Sequence, residues 1–380
     1  MTFLKGQNQM SIFKLTRSNL KLLFSFFIVL STSASSTDLL AEKSSHFDGK
    51  HFFNQPLEPE MQSAWRVWWY YFTTPRVDAI PEKPLPVQKL EWATWNTLPA
   101  DKVHVVRLGH SSLLLKLHGQ QWLIDPVFGV RASPLSFIGP KRFHPLPIDV
   151  DNMPMIDGVI ISHDHYDHLD AGTIKRIHPK VKQFVTTLGV GKILQDFGVP
   201  AEKIKELDWH QSASYAGVKL TAEPAQHFSG RGLFDRNTTL WASWVIESQV
   251  NADPVKIFYS SDSGYFDGFK KIGAKHAPFD LTLIDTGAWD KMWASIHMNP
   301  EESVQTHLDV QGKVMMPVHN STFDLALHPW YEPLELVSAI GARQKVLLAT
   351  PMMGEIYVVG SVPSINPWWR NLMRQQPVAQ

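Results

Sequence analysis

The amino-acid sequence predicts a layered α/β domain of about 260 residues, preceded by a leader and an aromatic-rich extension. Three observations predict it. From residue 103 onward, short apolar runs alternate with turns, the pattern of strands buried in sheets. Stretches of helical periodicity lie among those runs, two of them opening with proline in the first turn, where its fixed φ and missing N–H cost nothing. The 380 residues are 44% hydrophobic and 19% charged, enough to bury a full core and ordinary for a globular protein.

The elements follow in chain order. Residues 1–34 carry Lys14, Arg17 and Lys21, then the apolar run from Leu22 to Leu30, then Thr32-Ser33-Ala34. That is the order of a secretory signal. The run falls short of the roughly 20 residues that span a bilayer, so removal after Ala34 is expected, with an uncleaved membrane anchor as the alternative. The expected location is accordingly exported, periplasmic or membrane-associated. Residues 35–100 are polar and proline-rich around Trp65, Trp68, Trp69, Tyr70, Tyr71 and Phe72, beside Arg66 and Arg76. Either this extension makes a peripheral membrane contact, since Trp and Tyr favour the headgroup zone, or it wraps onto the main domain. Exposed aromatic patches of this size are uncommon on soluble proteins, which favours the wrap.

The main domain is expected over 101–362, with a tail over 363–380. Its strands are predicted at 103–108, 112–117, 121–124, 158–161, 183–186, 218–222, 240–247, 256–260, 281–284, 313–317, 346–349 and 356–359. Helices are predicted at 171–177, 190–197, 300–308 and 333–340. No internal repeat or low-complexity tract stands out.

Composition excludes several functions. Lys plus Arg equals Asp plus Glu at 36 each, so no net field draws in nucleic acid. The absence of cysteine removes thiolate nucleophiles, disulfides, iron–sulfur clusters, lipoprotein anchors and thiolate zinc sites together. Any metal must be held by His, Asp or Glu.

The chemistry concentrates after the strand at 158–161, in Ser162-His163-Asp164-His165-Tyr166-Asp167-His168-Leu169-Asp170. A rigid buried strand running into a loop of three His and three acids lets the side chains converge on one point. With Asp164 turned away, His163 and His165 can share one ion, and Asp167 and His168 can reach a second. The bland alternative is a solvated loop with Asp170 as the N-cap of the next helix. Three further strands end in candidate ligands, His227, Asp262 and His319. His163, His165 and His227 would then hold one zinc, Asp167, His168 and His319 the other, and Asp262 would bridge two Zn(2+) ions. Asp125, closing the strand at 121–124, is expected either to accept a ligand imidazole's other N–H or to make a plain Asp-Pro turn.

These segments resemble the metallo-β-lactamase superfamily. Within it the chain is most similar to the branch containing N-acyl-phosphatidylethanolamine-hydrolysing phospholipase D and its bacterial relatives. The resemblance runs from about residue 46 to 350 through His46-Phe47-Asp48-Gly49, Gly109-His110-Ser111-Ser112, Ile124-Asp125-Pro126, Gly139-Pro140-Lys141-Arg142-Phe143, the His-rich loop, Gln226-His227-Phe228, Ser261-Asp262-Ser263-Gly264-Tyr265, His297-Met298-Asn299-Pro300-Glu301-Glu302 and His319-Asn320-Ser321-Thr322-Phe323. Where the branch often has Gly-Asp-Thr-Gly-Tyr, this chain has Ser261-Asp262-Ser263-Gly264-Tyr265, which keeps the carboxylate. The resemblance implies an αββα sandwich, two mixed β-sheets flanked by helices, with the seven ligands at its open end.

A zinc-dependent hydrolase using a metal-bridging hydroxide is therefore expected, acting on a phosphodiester in a small-molecule or lipid substrate. Asp167 would also orient the nucleophile. The resemblance places His297 near the reacting group, as a donor to a phosphate oxygen or leaving group, against the alternative of a His satisfied by backbone at a helix start. Arg131, Lys141, Arg142 and Arg231 suit an anionic substrate at the mouth, or simple surface solvation. His110, His307 and His328 are read as structural. The runner-up is a lactone or ester hydrolase of the same fold. From another class comes a non-catalytic zinc-binding envelope protein, which the complete ligand set disfavours.

Overall fold

Two seven-stranded mixed sheets, stacked face to face, organise the chain. The computed structural model describes residues 43–55, 62–135, 137–249, 254–363 and 366–373, all within one compact unit. The secretory signal read in residues 1–34 lies outside the described residues. The location inferred from it is corrected: among the described residues no helix is long and apolar enough to cross a membrane, so membrane anchoring is not carried forward.

Two short helices come first, α1 (Ala64–Thr73) and α2 (Trp92–Thr97). The first sheet is built from β1 (His104–Gly109), β2 (Ser112–Leu117), β3 (Gln120–Ile124), β4 (Gly158–Ile160), β5 (Phe184–Thr187) and β6 (Ile204–Leu207), with α3 (Ala171–Ile177) and α4 (Val190–Asp196) in the crossovers. The second holds β7 (Ser212–Tyr215), β8 (Val218–Glu223), β9 (Ser243–Ser248), β10 (Val255–Tyr259), β11 (Leu281–Asp285), β12 (Val314–Val318) and β13 (Leu347–Leu348), with α5 (Gly268–His276), α6 (Pro300–Asp309) and α7 (Glu332–Gln344). Strand β14 (Ile356–Val358) returns to pair antiparallel with β1. The strand orders are β14-β1-β2-β3-β4-β5-β6 and β13-β12-β11-β10-β9-β8-β7.

Burial explains the layering. Between the sheets lies one core containing Val105, Leu115, Trp122, Trp244, Ile246, Tyr259, Leu283 and Met316. Helices α3 and α4 cover the first sheet's outer face through Ile174, Ile177, Val190 and Leu194. Helices α5, α6 and α7 cover the second through Phe269, Ile272, Val304, Val337 and Ile340. Both sheets are thus buried on two faces, which is why their strands read as continuous apolar runs rather than alternating ones.

The elements absent from the sequence reading each have a physical cause. Strands β6 and β7 sit at sheet edges, paired on one side only, and Ser212-Ala213-Ser214-Tyr215 carries no apolar run. Helix α5, Gly268-Phe269-Lys270-Lys271-Ile272-Gly273, contains two glycines that weaken helix propensity. It forms because Phe269 and Ile272 pack with Phe258 and Phe279. Helix α2 ends on the buried Lys116 of β2, whose ammonium donates to the carbonyls of Trp95, Asn96 and Leu98 at 3.0, 3.0 and 2.8 Å, satisfying carbonyls that a helix end leaves open.

In α1, Val67 and Tyr71 join an apolar cluster with Trp293, Ile296 and Phe228, while Trp65, Trp69 and Phe72 are 71%, 68% and 71% exposed. One face wraps the domain and the other stays open.

Candidate metal centre

Strands of both sheets release a polar side chain at the same end of the sandwich. Asp125 follows β3, Ser162 and His163 follow β4, His227 comes after β8, Asp262 after β10, Asp285 closes β11, and His319 follows β12. The backbone at His110, Asp125, Ser261 and His319 takes positive φ of 53°, 39°, 55° and 60°. Non-glycine residues rarely adopt that region, and such strain concentrates where side chains must be aimed. Just past Asp262, a Cβ on Gly264 would stand 2.0 Å from the Ser295 carbonyl oxygen. Only glycine lets these two segments close around the centre.

His163 Nε2 lies 2.9 Å from His165 Nδ1, and His227 Nε2 lies 3.2 Å from the same atom. On the other side, Asp167 Oδ2 is 3.3 Å from His319 Nε2 and 3.7 Å from His168 Nε2. Asp262 stands between the groups. Its Oδ2 is 3.8 Å from both His163 and His227 and 3.2 Å from His319, and its Oδ1 is 3.0 Å from His168. The seven residues singled out in the sequence are therefore brought together. Asp164 is turned away as expected, accepting from the Gly230 N–H at 2.8 Å and the Thr239 hydroxyl at 3.0 Å.

The donor set fits a metal. His168 Nε2 and Asp262 Oδ1 are closed to solvent and make no hydrogen bond, although they face each other at 3.0 Å. Buried polar atoms are rarely left so, and imidazole with carboxylate and no thiolate is a zinc-type set. Groups of ligand atoms converge closely enough for one or two ions.

Charge is divided across the cluster. Burial holds His163, His165 and His227 below the ordinary imidazole range, keeping them neutral, the form that ligates. Around His168 and His319 burial acts the same way but is outweighed by Asp262 and its neighbouring carboxylates, which push His168 up and His319 to about 10. The carboxylates of Asp167 and Asp262 are held well down, burial being overcome by the adjoining imidazoles. A cationic charge is thus already favoured beside Asp167 and Asp262, where a metal would supply one.

A surrounding layer fixes the rings. His168 Nδ1 donates to Asp125 at 2.8 Å, and Asp125 also accepts from Tyr259 and Ser162 hydroxyls at 2.6 Å each. His227 Nδ1 donates to the Ile296 carbonyl at 3.0 Å. Such partners select the tautomer that turns Nε2 to the metal. Asp170, meanwhile, caps α3 by accepting from Gly172 and Thr173.

Two residues of the site were missed by sequence reasoning. Asp285 accepts from His297 Nδ1 at 3.0 Å and stands 3.4 Å from His319 Nδ1. Its signal, an acid closing an apolar strand, was the same one that marked Asp125. His110, read as structural, places Nε2 3.0 Å from Asp167.

A pocket of about 330 Å³ opens over the cluster. His165, Asp167, Asp262, His297 and His319 line its polar side, and Val67, Tyr71, Phe228, Trp293, Ile296 and Leu325 its apolar side. Arg131, Lys141, Arg142 and Arg231 do not line it. Arg142 spends donors on the Val127 and Gly129 carbonyls, and Arg231 on those of Asp164 and Leu169 while stacking on Tyr166. Arg131 donates to the Gly139 carbonyl, and Lys141 lies with it along a neighbouring groove.

Residues 120–320 match the family described as Beta-lactamase superfamily domain. An uncharacterised protein of Mycobacterium tuberculosis is 44% identical over 275 residues, covering 71% of this chain and 73% of its own. The chain belongs to the metallo-β-lactamase superfamily. Another member, the N-acyl-phosphatidylethanolamine-hydrolyzing phospholipase D 1 of Caenorhabditis elegans, is 37% identical over 268 residues, 66% of this chain and 74% of its own. Among solved structures of the superfamily fold, an isothiocyanate hydrolase from Delia radicum gut bacteria superposes with a TM-score of 0.52 at 20% identity, covering 67% of this chain and 98% of its own. The layers, the strand orders and the metal-type cluster place this chain with metal-dependent hydrolases.

Proposed function

We propose that this superfamily member is a zinc-dependent phosphodiesterase acting on a phospholipid-like molecule of the N-acylphosphatidylethanolamine type. One observation carries the reading: side chains of a double His/Asp cluster line a pocket together with apolar side chains. Similarity to the Caenorhabditis elegans phospholipase supports it.

In this reading His163, His165 and His227 take one zinc, Asp167, His168 and His319 the other, and Asp262 reaches both. Two zinc ions held there supply a water of lowered pKa and a polarising charge for a phosphoryl oxygen. Asp167 orients the nucleophile from the pocket lining. Asp285 accepts from His297 Nδ1, which leaves Nε2 for the pocket; there it accepts as the neutral ring and donates to a phosphate oxygen or the leaving group as the imidazolium. Val67, Tyr71, Phe228 and Trp293 seat the apolar part of the substrate and exclude water beside the reacting bond. Arg131 and Lys141 can meet only a portion of substrate that extends past Tyr71 into the adjoining groove.

Zinc-loaded protein assayed on bis(p-nitrophenyl) phosphate, dispersed N-acylphosphatidylethanolamine and a panel of lactones tests the proposal. Zinc-dependent cleavage of the phosphodiesters is expected. Turnover confined to lactones overturns the substrate class, and zinc binding without turnover of anything overturns the enzyme.

A further inference from the structure

A second polar cluster lies behind the His319–Phe323 loop, away from the pocket. Val105 of β1 faces the core between the sheets, and Arg107, two residues on, points into the same interior. Arg107 is 0% exposed. Its Nη2 donates to Asn320 Oδ1 at 2.9 Å, but Nε and Nη1 have no partner. Arg142, packed against Gly109, is buried too, with Nη1 likewise unpartnered. A Cβ on Gly109 would stand 2.5 Å from that Nη1 and 2.8 Å from His144 Cε1, so Arg142 and His144 converge on the space the glycine leaves.

The surroundings do not cancel this charge. Burial alone acts on Arg107, pulling it to about 10, so it is still cationic at neutral pH. Asp170 is the acid that acts on Arg142, and its oxygens are already taken by the N–H groups of Gly129, Gly172 and Thr173. His144 contributes nothing: Nδ1 donates to the Pro145 carbonyl at 2.8 Å, and Nε2 lies 3.1 Å from the Thr322 hydroxyl. Burial, with Arg142 and Arg107 adding to it, pushes this ring down to about 3, which keeps it neutral. A guanidinium offers five donors and no acceptor, and a buried one without a counter-charge is strongly unfavourable. Water would satisfy the N–H groups but would leave both charges uncompensated.

We propose that the Nε–Nη1 edge of Arg107 binds a small monovalent anion, chloride in a chloride medium, and that this anion, with the Arg107–Asn320 bond, braces the loop carrying His319. The closed surroundings select a monatomic ion over phosphate or a carboxylate substrate. The site is independent of what the metal pocket hydrolyses.

Thermal unfolding in sodium chloride or bromide, against sodium gluconate at equal ionic strength, tests it. The wild-type midpoint should rise by about 2 °C or more and saturate with halide, while R107M should show no halide-specific rise. R107M keeps all seven candidate metal ligands, so halide binding at zinc would raise both proteins, and an equal rise overturns the proposal. Bromide-soaked crystals of the wild type decide the matter without any variant. An anomalous peak against Arg107 Nε and Nη1 is expected, and an ordered water there with no peak overturns it.

Discussion

His297 works only if the right nitrogen faces the pocket, and one carboxylate decides that. Asp285 accepts the hydrogen bond from Nδ1 and also stands behind His319, so it positions a candidate ligand and the pocket-lining His297 together. Replacing it by Ala should lower kcat by about 10- to 100-fold, the usual cost of losing a partner behind a metal-binding ring, with a smaller effect on KM. Steady-state kinetics on bis(p-nitrophenyl) phosphate reads the split, and unchanged kcat would remove Asp285 from the account. The ligands were legible because each is a His or Asp in the segment that follows an apolar strand. Asp285 was equally placed in the sequence, but its partners lie 12 and 34 positions on, and only the folded chain brings them together. The arginines fail in the opposite sense. Arg142 and Arg231 are cations in the right region, yet their donors are already held by backbone carbonyls, a fact no linear pattern records.

Among the elements, α1 has the clearest functional consequence. Its Tyr71 lines the metal pocket, and Arg76 ties the helix's end to Asp324 at 2.6 Å while lying over the Tyr71 ring at 5.0 Å. Cutting that tie in R76A should raise KM for a long-chain phosphodiester more than for bis(p-nitrophenyl) phosphate, because only the larger substrate leans on the α1 wall. Equal changes for both would mean the wall does not contact substrate. Lys116 tests a different element. Its three carbonyl contacts close the end of α2, so K116M should destabilise the fold by about 2 kcal/mol in a denaturant titration. Helix α6 was visible in the sequence through Asn299-Pro300-Glu301-Glu302, and the structure shows a capping box there. Helix α1 was not, since six of its ten residues are aromatic, a residue type that favours strands as readily as helices.

At the scale of the molecule, the two sheets repeat one plan. Each has three antiparallel ladders followed by three parallel ones, although no repeat is apparent in the sequence. The central strands were readable because burial on both faces makes them continuously apolar; β6 and β7 were not, because Ile204-Lys205-Glu206-Leu207 and Ser212-Ala213-Ser214-Tyr215 hold no apolar run. Away from the metal cluster, Glu223 at the end of β8 is buried with His210, Lys275 and His276 at 2.6, 2.8 and 2.7 Å. Burial alone would raise its carboxyl, but these partners hold it far below the usual range. A depressed folded value stabilises the protein above the unfolded pKa of about 4.3, and the contribution is lost as pH falls below it. E223Q should therefore be less stable than the wild type at pH 7, with the gap narrowing in acid below about pH 4. A gap independent of pH would show that packing rather than charge is at stake.

The account turns on Asp262 as the carboxylate shared by two metal groups, standing 3.8 Å from His163 and His227 and 3.0 Å from His168. Zinc content per chain, measured on wild-type protein and D262A together with phosphodiester turnover, tests that directly. Two zinc ions in the wild type, and loss of at least one with hydrolysis abolished in D262A, is the predicted result; two zinc ions and full activity in D262A would contradict it.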